Sequence, residues 1–111
     1  MNRCPICESY YTEKILYETS EYFVIEAKTK KGHTQRYLFC SKDHIPHDPK
    51  NYEAILKAVR VGIKFLFLKD FVVFNGIYAS IKDHWHVVLS DRNFSEEVVD
   101  ITKEPRIEVF L

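Results

Sequence analysis

Two thiols three residues apart, in Cys4-Pro5-Ile6-Cys7, have the spacing of half a zinc site. A fold that uses them has to carry two further ligands to the same end of the molecule. Three cysteines are an odd number, so a complete disulfide framework is excluded. The chain has 111 residues, 46% of them hydrophobic, which is apolar mass for one core. A single domain over residues 1–111 is therefore expected.

The segments Ile15-Leu16-Tyr17-Glu18 and Glu21 to Ala27 are rich in β-branched and aromatic residues and flank Thr19-Ser20, which predicts a hairpin. A basic loop from Lys28 to His33 leads to a third strand at Gln35 to Cys40, where Cys40 reads as a buried thiol. Asp48-Pro49 has the form of an N-cap with proline in the first turn and predicts a helix start. Tyr52, Ile55, Leu56, Val59, Ile63 and Leu66 then recur at steps of three and four, with Gly62 as the weak position. Ala58, Val61, Phe65 and Leu68 add a second apolar stripe to this helix, expected from Pro49 to Leu68. A small domain buries one stripe against its own sheet, so self-association as a homodimer is expected through the other. A short buried strand at Phe71 to Phe74, an Asn75-Gly76 turn, a loop to Asp83, a strand at His84 to Asp91 and a terminal strand from Arg106 complete an α+β chain.

The chemistry concentrates in His84-Trp85-His86-Val87-Val88-Leu89-Ser90-Asp91. Alternation places Trp85, Val87 and Leu89 on one face and His84, His86, Val88 and Ser90 on the other. The large apolar residues claim the core and leave two imidazoles on a site-facing surface. Lone strand histidines are usually hydrogen-bonded structural residues, but the cysteine pair changes the odds. Cys4, Cys7 and the histidine of Ser41-Lys42-Asp43-His44 need one more imidazole for tetrahedral Zn2+, and His84 supplies it. His47 is the competing ligand, which Pro46 and the helix start are expected to turn away. A closed two-Cys, two-His site of this kind is structural.

Sixteen Lys plus Arg balance sixteen Asp plus Glu, so no net positive field favours sequence-independent binding to nucleic acid. No apolar run has the length of a membrane span, and the first residues lack a signal h-region, so the expected location is cytoplasmic.

These pieces, in order, resemble the histidine-triad superfamily over Cys4 to about Asp91. The cysteine pair is similar to the zinc pair of its zinc-bearing members. Gly32-His33-Thr34, a hydrophobic strand and Lys42-Asp43-His44-Ile45 resemble its Gly-His-Thr and Lys-x-His stretch, and Asn75-Gly76 and His84-Trp85-His86-Val87-Val88 follow in the expected places. The resemblance implies a HIT-like meandering antiparallel sheet with one main helix packed on it.

It also implies a nucleotide hydrolase or nucleotidyl transferase that forms a covalent nucleotidyl-histidine intermediate at an α-phosphate. Family members carry His-x-His-x-His, or His-x-His-x-Gln in the galactose-1-phosphate uridylyltransferase branch, with the middle residue attacking. In one register His84 is the zinc ligand, His86 the nucleophile and Val88 the third position. In a second register Lys82 comes first and His84 attacks. The first closes the zinc site and is preferred. Asn75, Ser80, Lys82 and Ser90 are the expected substrate-binding residues, with Ser80 and Lys82 as donors to the phosphate. Val88 departs from the family pattern, because valine neither donates to phosphate nor assists a leaving group. The alternative expectation is accordingly a catalytically inactive, zinc-stabilised module that binds nucleotides or proteins.

Overall fold

Proline at the first helical position suits the cysteine segment to a helix, an element not expected there from the sequence. The computed structural model describes residues 4–27, 35–48, 50–69, 71–74, 83–91 and 106–109. In it α1 spans Pro5–Thr12, with Cys4 as the N-cap and the Cys4 carbonyl accepting the Glu8 N–H at 3.0 Å. The N–H that proline lacks is not needed at that position.

Among the described residues six strands form one antiparallel sheet: β1 (Tyr17–Glu18), β2 (Tyr22–Glu26), β3 (Arg36–Ser41), β4 (Phe71–Phe74), β5 (His86–Asp91) and β6 (Arg106–Val109). Their order in space is β1-β2-β3-β5-β4-β6. The α+β class is as expected, but only the first three strands meander. From β3 the chain passes through α2 (Tyr52–Lys64) to β4, and β5 then returns between β3 and β4, antiparallel to both. A strand inserted in this way is central, which is why β5 tolerates so few exposed side chains.

Alternation divides the sheet cleanly. Val24, Phe39, Phe71, Val73, Trp85, Val87 and Leu89 face α2 and pack with its Ala54, Ile55, Ala58 and Val61. Phe23, Ile25 and Cys40 face the other way and pack with Ile6 of α1. A fully buried side chain of Leu, Val or Phe size contributes about 1.5–3 kcal/mol, so the α2 face dominates stability.

The helix starts later than Asp48-Pro49 indicates. Asp48 accepts the Lys50 N–H on its side chain at 2.9 Å and the Asn51 N–H on its carbonyl at 3.2 Å, closing a turn. Asn51 is the actual N-cap, its side chain accepting from the Ala54 N–H at 3.3 Å. The helix also ends earlier, at Lys64 with Phe65 as its C-cap, because Phe67 takes a left-handed conformation at φ 56°. Leu68 is buried beyond that turn, whereas Phe65 and Phe67 are exposed. Gly62 has a packing reason: a Cβ there would stand 3.1 Å from Cζ of Phe71, so glycine lets α2 lie directly on β4.

Candidate metal centre and the histidine strand

The first turn of α1 sets the bite of the cysteine pair. Residues three apart on a helix lie on one side, which brings the Cys4 and Cys7 thiols together at the helix start. That helix is tied to the sheet by Ile6 in the core, by the Tyr10 hydroxyl donating to Glu18 at 2.9 Å and by Lys42 pairing with the same carboxylate at 2.7 Å. Lys42 accordingly holds the Glu18 carboxyl below its usual range.

His44 comes from the turn after β3. The Ser41 hydroxyl donates to the Asp43 carbonyl at 2.8 Å, and the Trp85 N–H donates to the Ile45 carbonyl at 2.8 Å, so this turn is clamped to the start of β5. His84 lies just before β5, which begins at His86 rather than at His84 as the sequence reading has it. It is fully buried, Cys4 and Cys7 are half-buried, and His44 is exposed.

The ligand atoms of Cys4, Cys7, His44 and His84 all lie within 4.8 Å of one another. Nδ1 of His84 is 3.4 Å from the Cys4 Sγ and 3.3 Å from the Cys7 Sγ, and Nδ1 of His44 is 3.3 Å from the Cys7 Sγ. Zinc bonds of about 2.3 Å to sulfur and 2.0 Å to nitrogen give tetrahedron edges of about 3.5 Å between S and N, which these separations match. On its far side His84 Nε2 lies 2.7 Å from the Ser41 carbonyl oxygen. A carbonyl only accepts, so Nε2 carries the hydrogen and Nδ1 presents its lone pair to both sulfurs. Without a cation this is an unfavourable cluster: burial, then the neighbouring Cys4, push the Cys7 thiol up, and burial pushes His84 down. A divalent ion bound by two thiolates and two neutral imidazoles removes both conflicts. These four residues can bind a metal ion, and the donor set suits zinc.

His86 is the next side chain on the same face. It is nearly buried, it pairs across the sheet with Cys40, and its Nδ1–H donates to the His84 carbonyl at 2.9 Å. That bond leaves the Nε2 lone pair unprotonated, and burial holds the imidazole below its ordinary range. Val88 lies two positions on, paired with Leu38 and Phe74. Ser90 is fully buried in β5 between Arg36 and Val72, four residues or about 13 Å along the strand from His86. Asn75, Ser80 and Lys82, like Gly32-His33-Thr34, lie outside the described residues.

His47 stays outside the metal cluster. Its ring stacks on Trp85 with centroids 6.4 Å apart, and its Nδ1 faces the His86 backbone N–H at 3.4 Å. From the sequence His47 is only a competing ligand, because nothing local signals its position beside His86. Nor is the Ser41 carbonyl legible there, since a backbone acceptor leaves no signature in the side-chain pattern. Compared with models of known protein families the chain matches none, and no curated protein matches it. The resemblance to the histidine-triad superfamily thus rests on the residues quoted for it.

Proposed function

We propose that this chain is a zinc-stabilised domain in which His86 is the nucleophile for nucleotidyl transfer or hydrolysis at an α-phosphate. The observation that carries the reading is the 2.9 Å bond from His86 Nδ1–H to the His84 carbonyl, which orients the ring and leaves Nε2 free to attack. Cys4, Cys7, His44 and His84 would hold the zinc, whose part is structural: it fixes the backbone at His84 and hence the acceptor that orients His86.

In the reaction, His86 Nε2 donates its electron pair to phosphorus as the bond from phosphorus to the leaving-group oxygen breaks. The leaving group departs with that electron pair and takes up a proton from solvent. Water or an acceptor hydroxyl then attacks phosphorus and gives up its proton to solvent as the P–N bond breaks and the imidazole recovers its lone pair. A neutral imidazole suits both halves near neutral pH.

A second reading, a nucleotide-binding or protein-interaction module without catalysis, is favoured by Val88, which places an apolar side chain where the family pattern has a hydrogen-bonding one. Incubating zinc-loaded protein with an α-32P-labelled nucleoside phosphoramidate or dinucleoside polyphosphate separates the two. An acid-labile, base-stable label on His86 supports the enzyme. Tight nucleotide binding with neither label nor turnover supports the inactive module.

A further inference from the structure

On the α2 side of the sheet, away from the metal cluster and His86, a groove of about 310 Å³ runs between the C-terminal half of α2 and the β1–β2 hairpin. Its volume is at the lower end of small-ligand pockets, which are roughly 300–1,000 Å³. Tyr17 and Tyr22 line the groove from the hairpin, and Tyr17 stacks across on Phe65, the C-cap of α2, with centroids 4.3 Å apart and an interplanar angle of 20°. Phe65 remains 50% exposed, so a flat surface of ring is open to a ligand.

Cations line the other wall. Lys57, Arg60 and Lys64 follow one another at steps of three and four on α2 and so share one ridge along the groove. Glu21 is the one carboxylate among the described lining residues, and Glu53 in the first turn of α2 also acts on Tyr22. Glu21 pairs with Lys57 at 3.7 Å, while Lys57 also sits over the Tyr22 ring at 5.5 Å. Arg60 and Lys64 have no ion pair among the described residues. In a chain whose charges balance to zero, three cations against one carboxylate at a single aromatic groove are a local feature, not a consequence of composition.

We infer that this groove binds a planar aromatic anion of mononucleotide size, its ring against Phe65 and its anionic group on Arg60 and Lys64. Stacking supplies orientation and the two guanidinium and ammonium heads supply charge. The site is separate from the proposed reaction centre. Phe39 in the groove lining belongs to the α2 face of the sheet, whereas Cys40 and its cross-strand partner His86 belong to the α1 face.

The test is a titration of the zinc-loaded full chain with AMP. It is followed by the fluorescence of the single tryptophan, Trp85, whose ring is 5.7 Å from Tyr22, and by backbone amide NMR shifts. Expected is saturable binding that weakens with added salt, with shifts at Tyr17, Arg60, Lys64 and Phe65, and weaker binding of adenosine or inorganic phosphate alone. R60E/K64E, two exposed substitutions that leave the core intact, should weaken AMP binding at the groove by about tenfold or more. The inference is overturned if AMP does not bind, or if R60E/K64E binds it as tightly as the natural sequence. It is also overturned if the shifts centre on His86 and vanish in His86→Asn, an outcome that would support the proposed reaction centre instead.

Discussion

His84 donates its Nε2–H to the Ser41 carbonyl at 2.7 Å and so turns its Nδ1 towards the sulfurs of Cys4 and Cys7. The last residue of β3 thereby dictates which nitrogen of the histidine faces the metal site. Zinc at one equivalent per chain is the expected content. His84→Ala removes a ligand from a closed shell and leaves the Ser41 carbonyl without its donor. Its zinc content should fall below half and its melting temperature by more than about 10 °C, as should that of the natural chain in excess chelator. Elemental analysis and calorimetry read both. Metal-free protein that melts unchanged in chelator would remove the site.

His86 is best tested with asparagine, whose amide can keep the donor to the His84 carbonyl while removing the nucleophile. His86→Asn should retain zinc and lose about 1 kcal/mol of stability or less, within reach of urea unfolding. Phosphoramidate turnover should fall by at least about 10³-fold. The second register predicts a different pattern: a zinc-replete, stable and inactive His84→Ala protein.

Cys40 should behave unlike the other two cysteines. It is fully buried, and burial, with Cys4 adding to it, pushes its thiol far up, so at neutral pH it has no appreciable thiolate. Iodoacetamide with mass spectrometry should label no cysteine in the zinc-loaded protein. Cys4 and Cys7 should be modified after brief chelation, and Cys40 only on unfolding. Early labelling of Cys40 would contradict its placement between the sheet and α1.

Gly62→Ala sets helix propensity against packing. Alanine favours a helix interior by about 1 kcal/mol, but its Cβ would meet the ring of Phe71 at 3.1 Å, and Phe71 is fully buried with nowhere to retreat. Net destabilisation of about 1 kcal/mol is expected from the urea midpoint. A stabilised variant would mean that α2 and β4 are less tightly seated.

Self-association is proposed through the exposed stripe of α2, where Tyr52 is 62% and Leu56 56% exposed, with Val59 and Ile63 half-buried along the same line; contrary to the expected order of the two stripes, it is Ala58, Val61 and Leu68 of the second that pack against the sheet. Light scattering should give a dimer mass that Leu56→Glu converts to a monomer of unchanged melting temperature. A monomer at high micromolar concentration would end that proposal.

Much of the core was legible because period-two and period-3.6 patterns are local. Trp85, Val87 and Leu89 face α2 as alternation requires, and the four residues that can bind a metal ion were identifiable because Cys and His at matched spacings have few other reasons to converge. Boundaries were not legible in the same way. Asp48-Pro49 is a valid helix start in isolation, and only the competing Asp48 turn and the Asn51 cap move the helix by three residues.

The sequence by itself determined the α+β class, the buried face of the histidine strand and the four residues that can bind a metal ion, since each follows from side-chain chemistry at fixed local spacing; which stripe of α2 packs on the sheet was not among them, because both stripes are apolar. Tertiary structure decided the insertion of β5 between β3 and β4, the direction in which each imidazole points and the meeting of a cationic helix ridge with an aromatic hairpin. Those depend on backbone carbonyls and on strands distant in sequence, whose hydrogen bonds are the same for every residue type. No side-chain pattern records them.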